Sequence, residues 1–107
     1  MSALVLLHTT VADAADAERL ADRLIESRLA ACVHVETISS TYRWQGRIER
    51  AREWRLSAKT SAARLDEAAD LLRREHPYEL PAIWTTPVVW AEPAYADWVA
   101  AESQAQA

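Results

Sequence analysis

Glycine and cysteine each occur once in this 107-residue chain, at Gly46 and Cys32. A phosphate-cradling loop or a dinucleotide-binding fingerprint needs several glycines to bring backbone against phosphate, so both are excluded. A single cysteine rules out an internal disulfide framework and a cysteine-built zinc site within one chain, and it fits a reducing compartment. No apolar run approaches the length of a membrane span. Leu4 to Leu7 is too short even for a signal-peptide core and lacks a basic flank. There is no excess of positive charge either: 12 Lys and Arg against 16 Asp and Glu give a net charge of −4, which argues against a polyanion as the main partner. What remains is ordinary globular composition, 50% hydrophobic and 26% charged, in a length that suits one domain. The expectation is a cytoplasmic protein with no membrane and no nucleic-acid partner.

The hydrophobic pattern divides the chain into alternating elements. Ala3 to His8 reads as a short buried strand. A helix follows, with Asp13, Asp16 and Glu18 at its start and Ala17, Leu20, Ala21, Leu24 and Ile25 as its buried stripe. Ala30 to Trp44 alternates as a strand whose apolar parity switches midway, from Ala31, Val33 and Val35 to Ile38, Tyr42 and Trp44. Such a switch predicts a bulge or bend near Thr37, or a different partner for each half. Gln45-Gly46 forms a tight turn, and Arg47 to Thr60 returns as the second strand of a hairpin. Ser61 opens a second helix with Leu65, Ala68, Ala69 and Leu72 buried. Ala82 to Trp90 is a last strand in which Pro87 marks an edge or bulge, and Pro93 starts a short C-terminal helix carrying Tyr95, Trp98 and Val99. The order β-α-β-β-α-β plus a helix is the split pattern of an α+β, ferredoxin-like domain. It occupies residues 1–102, with 103–107 as a flexible tail.

The central hairpin is too long for such a domain. Strands of about 14 residues span roughly 45 Å, whereas a compact chain of this length has a diameter of about 34 Å. The tip around Tyr42, Trp44 and Ile48 must overhang, and exposed aromatic residues on a free edge call for cover by other subunits.

His76-Pro77-Tyr78-Glu79-Leu80-Pro81 sets an imidazole, a phenol and a carboxylate between two prolines. Proline fixes its own φ and pushes the preceding residue out of the α region, so His76 ends a helix and the polar trio occupies a rigid corner. Functional groups are commonly presented at such corners, and so are structural tyrosines.

Four motifs occur together: Leu-Ala-Ala-Cys-Val at 29–33, Tyr-Arg-Trp-Gln-Gly-Arg-Ile-Glu at 42–49, Lys-Thr at 59–60, and the corner at 76–81. In this order and spacing the chain resembles the CutA divalent-cation tolerance family over nearly its whole length. That resemblance implies a ferredoxin-like, PII-like homotrimer with interlocking hairpins, tolerance of copper and other divalent ions, and metal binding. It also implies a metal set of His8, Glu75, His76 and Glu79 for Cu2+ or another divalent cation. His8 stands where a relative has cysteine, Glu75 where histidine can occur, and Ala82 where an acid usually follows the second proline. The family's inter-subunit clefts point to Tyr42, Trp44, Lys59, His76, Tyr78 and Glu79 as walls for a small metabolite, the alternative reading being a PII-like sensor or scaffold. In that reading Lys59 and Glu79 recognise charge; otherwise they form an interfacial ion pair, with Tyr78 in the core.

No nucleophile with a paired base is evident. Cys32 and His34 share a strand face, but a small thiol beside a polar residue is the ordinary account, and the chain is not expected to be an enzyme. Arg43, Arg47, Arg50, Arg52 and Arg55 alternate with Glu49 and Glu53, a pattern that suits a salt-bridged subunit interface better than nucleic acid.

Overall fold

The computed structural model describes residues 4–105. Its elements run β1 (Leu4–Val11), α1 (Ala14–Glu26), β2 (Cys32–Trp44), β3 (Arg47–Ser61), a 3-10 turn (Ala62–Arg64), α2 (Leu65–Glu75), β4 (Ile83–Pro87) and α3 (Pro93–Glu102). The four strands form one antiparallel sheet in the order β2-β3-β1-β4, as the ferredoxin-like reading requires.

Strand β1 does not stop at His8. Thr9, Thr10 and Val11 continue the ladder opposite Leu56, Arg55 and Trp54, and Thr9 and Val11 are fully buried. The expected first residue, Ala3, lies outside the described residues. Leu7, Val11, Leu56 and Ala58 meet Ala17, Leu20 and Leu24 of α1 and Ala68, Leu71 and Leu72 of α2, so the two helices cover one face of the sheet. Ile25, assigned to the stripe of α1, is exposed, because Leu24 already takes the inward position. Ser61 ends β3 rather than opening α2; the 3-10 turn intervenes, and Ser61 makes no side-chain cap.

The parity switch in β2 does not produce a bulge. Pairing with β3 runs unbroken from Cys32 opposite Lys59 to Trp44 opposite Arg47. What changes is the face that needs cover. Val33 lies on the helix-covered side, while Ile38, Tyr42 and Trp44 lie on the other, in a region past the last β1 pair, Val11 with Trp54. Ile38–Trp44 and Arg47–Glu53 therefore project as a two-stranded arm, and the molecule measures 45 × 27 × 20 Å. Each face of the arm carries an exposed apolar side chain. Ile48, opposite Arg43 and among arginines and hydroxyls, is 61% exposed on one, and Tyr42 and Trp44, at 44% and 38%, are on the other. Gln45 (φ 50) and Gly46 (φ 79) close it in the left-handed conformation that a two-residue hairpin turn demands.

Strand β4 is shorter than expected and pairs only with β1, so Pro87 sits on an edge, where a missing N–H is tolerated. Pro93 occupies the first turn of α3, which packs against β1 and β3 and buries Val99. The expected tail includes Ser103, which is buried with its hydroxyl donating to the Val99 carbonyl, and Gln104, whose carbonyl accepts from Arg28. Residues 106 and 107 lie outside the described residues.

Candidate functional site

His76 ends α2 with extended backbone (φ −74, ψ 135), as Pro77 dictates. Its ring locks the corner. Nδ1 accepts from the Tyr78 N–H at 3.1 Å, which leaves the proton on Nε2 to be donated to the Thr10 carbonyl at 3.0 Å, beside the Thr9 hydroxyl at 2.9 Å. The Thr9 hydroxyl in turn donates to the Ala82 carbonyl at 2.7 Å. Both ring nitrogens are thus engaged, and burial pushes the imidazole below its ordinary pKa, favouring the neutral form this network needs.

Tyr78, carried over the end of β1 by that corner, donates its hydroxyl to Oε2 of Glu53 at 2.6 Å. Glu53 is 8% exposed. Burial, then the bond to the carboxylate, raises the phenol well above its usual pKa, so Tyr78 remains a donor. Between the corner and the projecting arm lies a cavity of about 780 Å³, lined among others by Tyr42, Trp44, Glu53, Tyr78, Glu79 and Trp84.

The structure brings Tyr42, Trp44, Tyr78 and Glu79 of the expected cleft together. His76 braces the corner and does not line the cavity. Lys59 lies elsewhere on the sheet: its Nζ is 3.3 Å from the ring nitrogens of His34 and 5.8 Å from the centre of the Tyr95 ring. No ion pair joins Lys59 to Glu79 among the described residues. Two residues that sequence reasoning left out of the cleft are Glu53 and Trp84. A signal for Glu53 was available, because a two-residue turn at Gln45-Gly46 places position 53 opposite Ile38, on the face of Tyr42 and Trp44.

The four metal candidates have separate surroundings within the chain. His8 lies between hydroxyls, Nδ1 3.0 Å from Ser57 Oγ and Nε2 2.9 Å from Thr86 Oγ1, with its ring stacked on Trp84 at 5.1 Å. Burial, then the charge of Arg55, lowers its pKa. Glu75 accepts from Arg23 at 2.9 Å and Arg19 at 3.2 Å, and the Arg23 bond holds its carboxyl below the usual range. Among the described residues no three His, Cys, Asp or Glu side chains are grouped to hold a metal ion. Cys32 and His34 do share a face, opposite Lys59 and Ser57, with His34 occupied by Lys59. No helix of the described residues is long and apolar enough to cross a membrane.

Comparison with known proteins follows the same outline. The family model of the CutA1 divalent ion tolerance protein matches residues 5–102. The divalent-cation tolerance protein CutA of Archaeoglobus fulgidus is 34% identical over 93 residues, covering 87% of this chain and 91% of that protein; its solved structure is described as a periplasmic divalent cation tolerance protein. The crystal structure of CutA from Xylella fastidiosa superposes with a TM-score of 0.93 at 38% identity, covering 96% of this chain and all of that one. CutA from Synechococcus elongatus PCC7942 gives a TM-score of 0.93 at 38% identity, covering 97% and 93% of the two chains, and has also been solved complexed with a Bis-Tris molecule. With sheet order, projecting hairpin and proline-framed corner all in place, this chain belongs to the CutA divalent-cation tolerance family.

Proposed function

We infer that the chain acts as a cytoplasmic homotrimer in tolerance of divalent cations, copper first. The observation that carries this reading is the projecting arm with apolar side chains on both faces, Ile48 on one and Tyr42 with Trp44 on the other. An arm needing cover on two sides cannot be satisfied by one self-complementary contact. A head-to-tail ring, in which each subunit both gives and receives a hairpin, covers both faces and closes on itself. The family supports divalent cations as the target. Because the candidate ligands are dispersed within one chain, and His8, Glu75 and His76 are all engaged in hydrogen bonds or ion pairs, a metal site would draw ligands from more than one subunit and would have to displace the Ser57 or Thr86 hydroxyl from His8. Light scattering is expected to give the mass of three chains. Calorimetric titration with Cu2+ and Zn2+ should give stoichiometric binding that weakens in His8→Ala; sub-stoichiometric or mutation-blind heat would sink the specific site.

The cavity beside Tyr78 favours a second reading, a PII-like sensor or scaffold holding a small molecule in a cleft between subunits. The Bis-Tris complex of the Synechococcus relative lends it support. A thermal shift caused by an organic ion after complete chelation would favour this reading, since it cannot arise at a metal site.

A further inference from the structure

Two carboxylates, Glu53 and Glu79, line the cavity between arm and corner, and none of the residues lining it is Lys, Arg or His. Glu53 is the more telling. It is 8% exposed, its Oε2 accepts from Tyr78, and among the described residues Oε1 has no hydrogen-bond donor and the carboxylate has no basic partner. That second oxygen opens onto the cavity, where a positive charge would meet it with little competing solvation. Tyr42, Trp44 and Trp84 share the same cavity wall, and the faces of such rings attract cations and repel anions. A divalent metal held by protein groups alone would instead require several oxygen or nitrogen ligands at once, and no group of three His, Cys, Asp or Glu side chains is present among the described residues. The volume of about 780 Å³ lies in the range of small-molecule sites.

We propose that this cavity binds a small organic cation, a protonated or quaternary amine, with Glu53 as counter-ion and Tyr42, Trp44 and Trp84 as its aromatic walls. Tyr78 is a positioning residue here, fixing the carboxylate through its hydroxyl. The proposal deepens the small-ligand reading above and rests on it for a cleft between subunits, in which the neighbour that covers the arm forms the far wall beside Tyr42 and Trp44 and leaves the cavity open.

The test titrates choline chloride into the intact protein in the presence of chelator, followed by tryptophan fluorescence and calorimetry, with light scattering on the same samples. The neutral isostere 3,3-dimethyl-1-butanol and sodium acetate serve as comparators. Choline should bind saturably, the isostere far more weakly and acetate not at all. Glu53→Gln, which retains an acceptor for Tyr78, should weaken choline about tenfold by removing a charge-assisted contact. Trp84→Leu should weaken it about threefold through loss of one cation–π face. Should Glu53→Gln unfold, Glu79→Gln at the exposed rim provides the same charge test. Three outcomes overturn the proposal: no saturation by choline while the three-chain mass persists, equal affinity for the neutral isostere, or indifference to both Gln variants. Zn2+ displacing choline in a Glu53-dependent way would also overturn it, in favour of a metal site. A one-chain mass with Glu53-dependent choline binding would sustain the cavity proposal while sinking the trimer.

Discussion

The hydroxyl of Tyr78 donates to Oε2 of Glu53 at 2.6 Å, and this one bond ties the proline-framed corner after α2 to the strand that leaves the domain. Corner and arm are 25 residues apart in sequence. Neither has a regular-structure ladder to hold it to the other, so the cavity keeps its shape through a side-chain contact.

Tyr78→Phe should therefore destabilise the protein more than Glu53→Gln. The first leaves a buried carboxylate without its donor, at a cost of about 1–3 kcal/mol; the second keeps a neutral acceptor in place. Denaturant unfolding at fixed protein concentration would measure both, since assembly makes the midpoint concentration-dependent. Equal losses would mean that the bond contributes nothing specific.

Stability should fall on mild acidification. His8 and His76 both have folded-state pKa values below the ordinary 6.5, chiefly through burial. The unfolded chain then takes up protons first as pH drops, so their contribution is complete above about 6.5 and is lost as pH falls from there through the lowered folded values. Glu75, whose carboxyl lies below 4.5, adds a separate loss in a more acidic window. Unfolding midpoints from pH 8 to pH 5 should decline, and more gently in His76→Gln. A flat profile across that range would contradict the neutral, doubly bonded ring described for His76.

Much of the architecture was legible because the signals were local or countable. Strand lengths alone required the overhang, Gly46 marked the turn, and Pro77 ended α2 at His76. The parity switch in β2 was visible too, but its cause was not: a bulge and a change of covered face leave the same pattern in one strand, and only the missing third strand beyond Trp54 separates them. Lys59 was drawn into the cleft by family resemblance. Six residues of strand separate it from Glu53, roughly 20 Å, so within one chain the two lie apart, whereas the expected cleft is one between subunits. Trp84 carried no local sign of its role, because its contact with His8 and its place in the cavity depend on β4 pairing with a strand some 75 residues earlier.

The hairpin turn offers a test of backbone conformation alone. Gly46 has φ 79 and nothing within 4 Å of where a Cβ would sit, so Gly46→Ala meets no steric clash and should cost about 1 kcal/mol from the left-handed backbone itself. Gln45, at φ 50, is an ordinary side chain in the same region. Asparagine tolerates it better, and Gln45→Asn should gain about 0.5 kcal/mol. Thermal melts of the two variants should move in opposite directions; a shared direction would mean that the turn is held by contacts beyond its own backbone.

The two faces of the arm make the assembly itself testable one side at a time. Ile48 and Trp44 point to opposite faces, and neither belongs to the buried core of the domain. In a head-to-tail ring each face meets a different neighbouring surface, so a charge placed on either face should open the ring without unfolding the subunit. Ile48→Glu and Trp44→Glu are each expected to lower the mass from three chains to one in light scattering, with far-UV circular dichroism unchanged. A self-complementary dimer would respond to only one of the two substitutions, because only one face would be covered. If both variants keep the wild-type mass, the exposed arm is not the surface that joins the subunits.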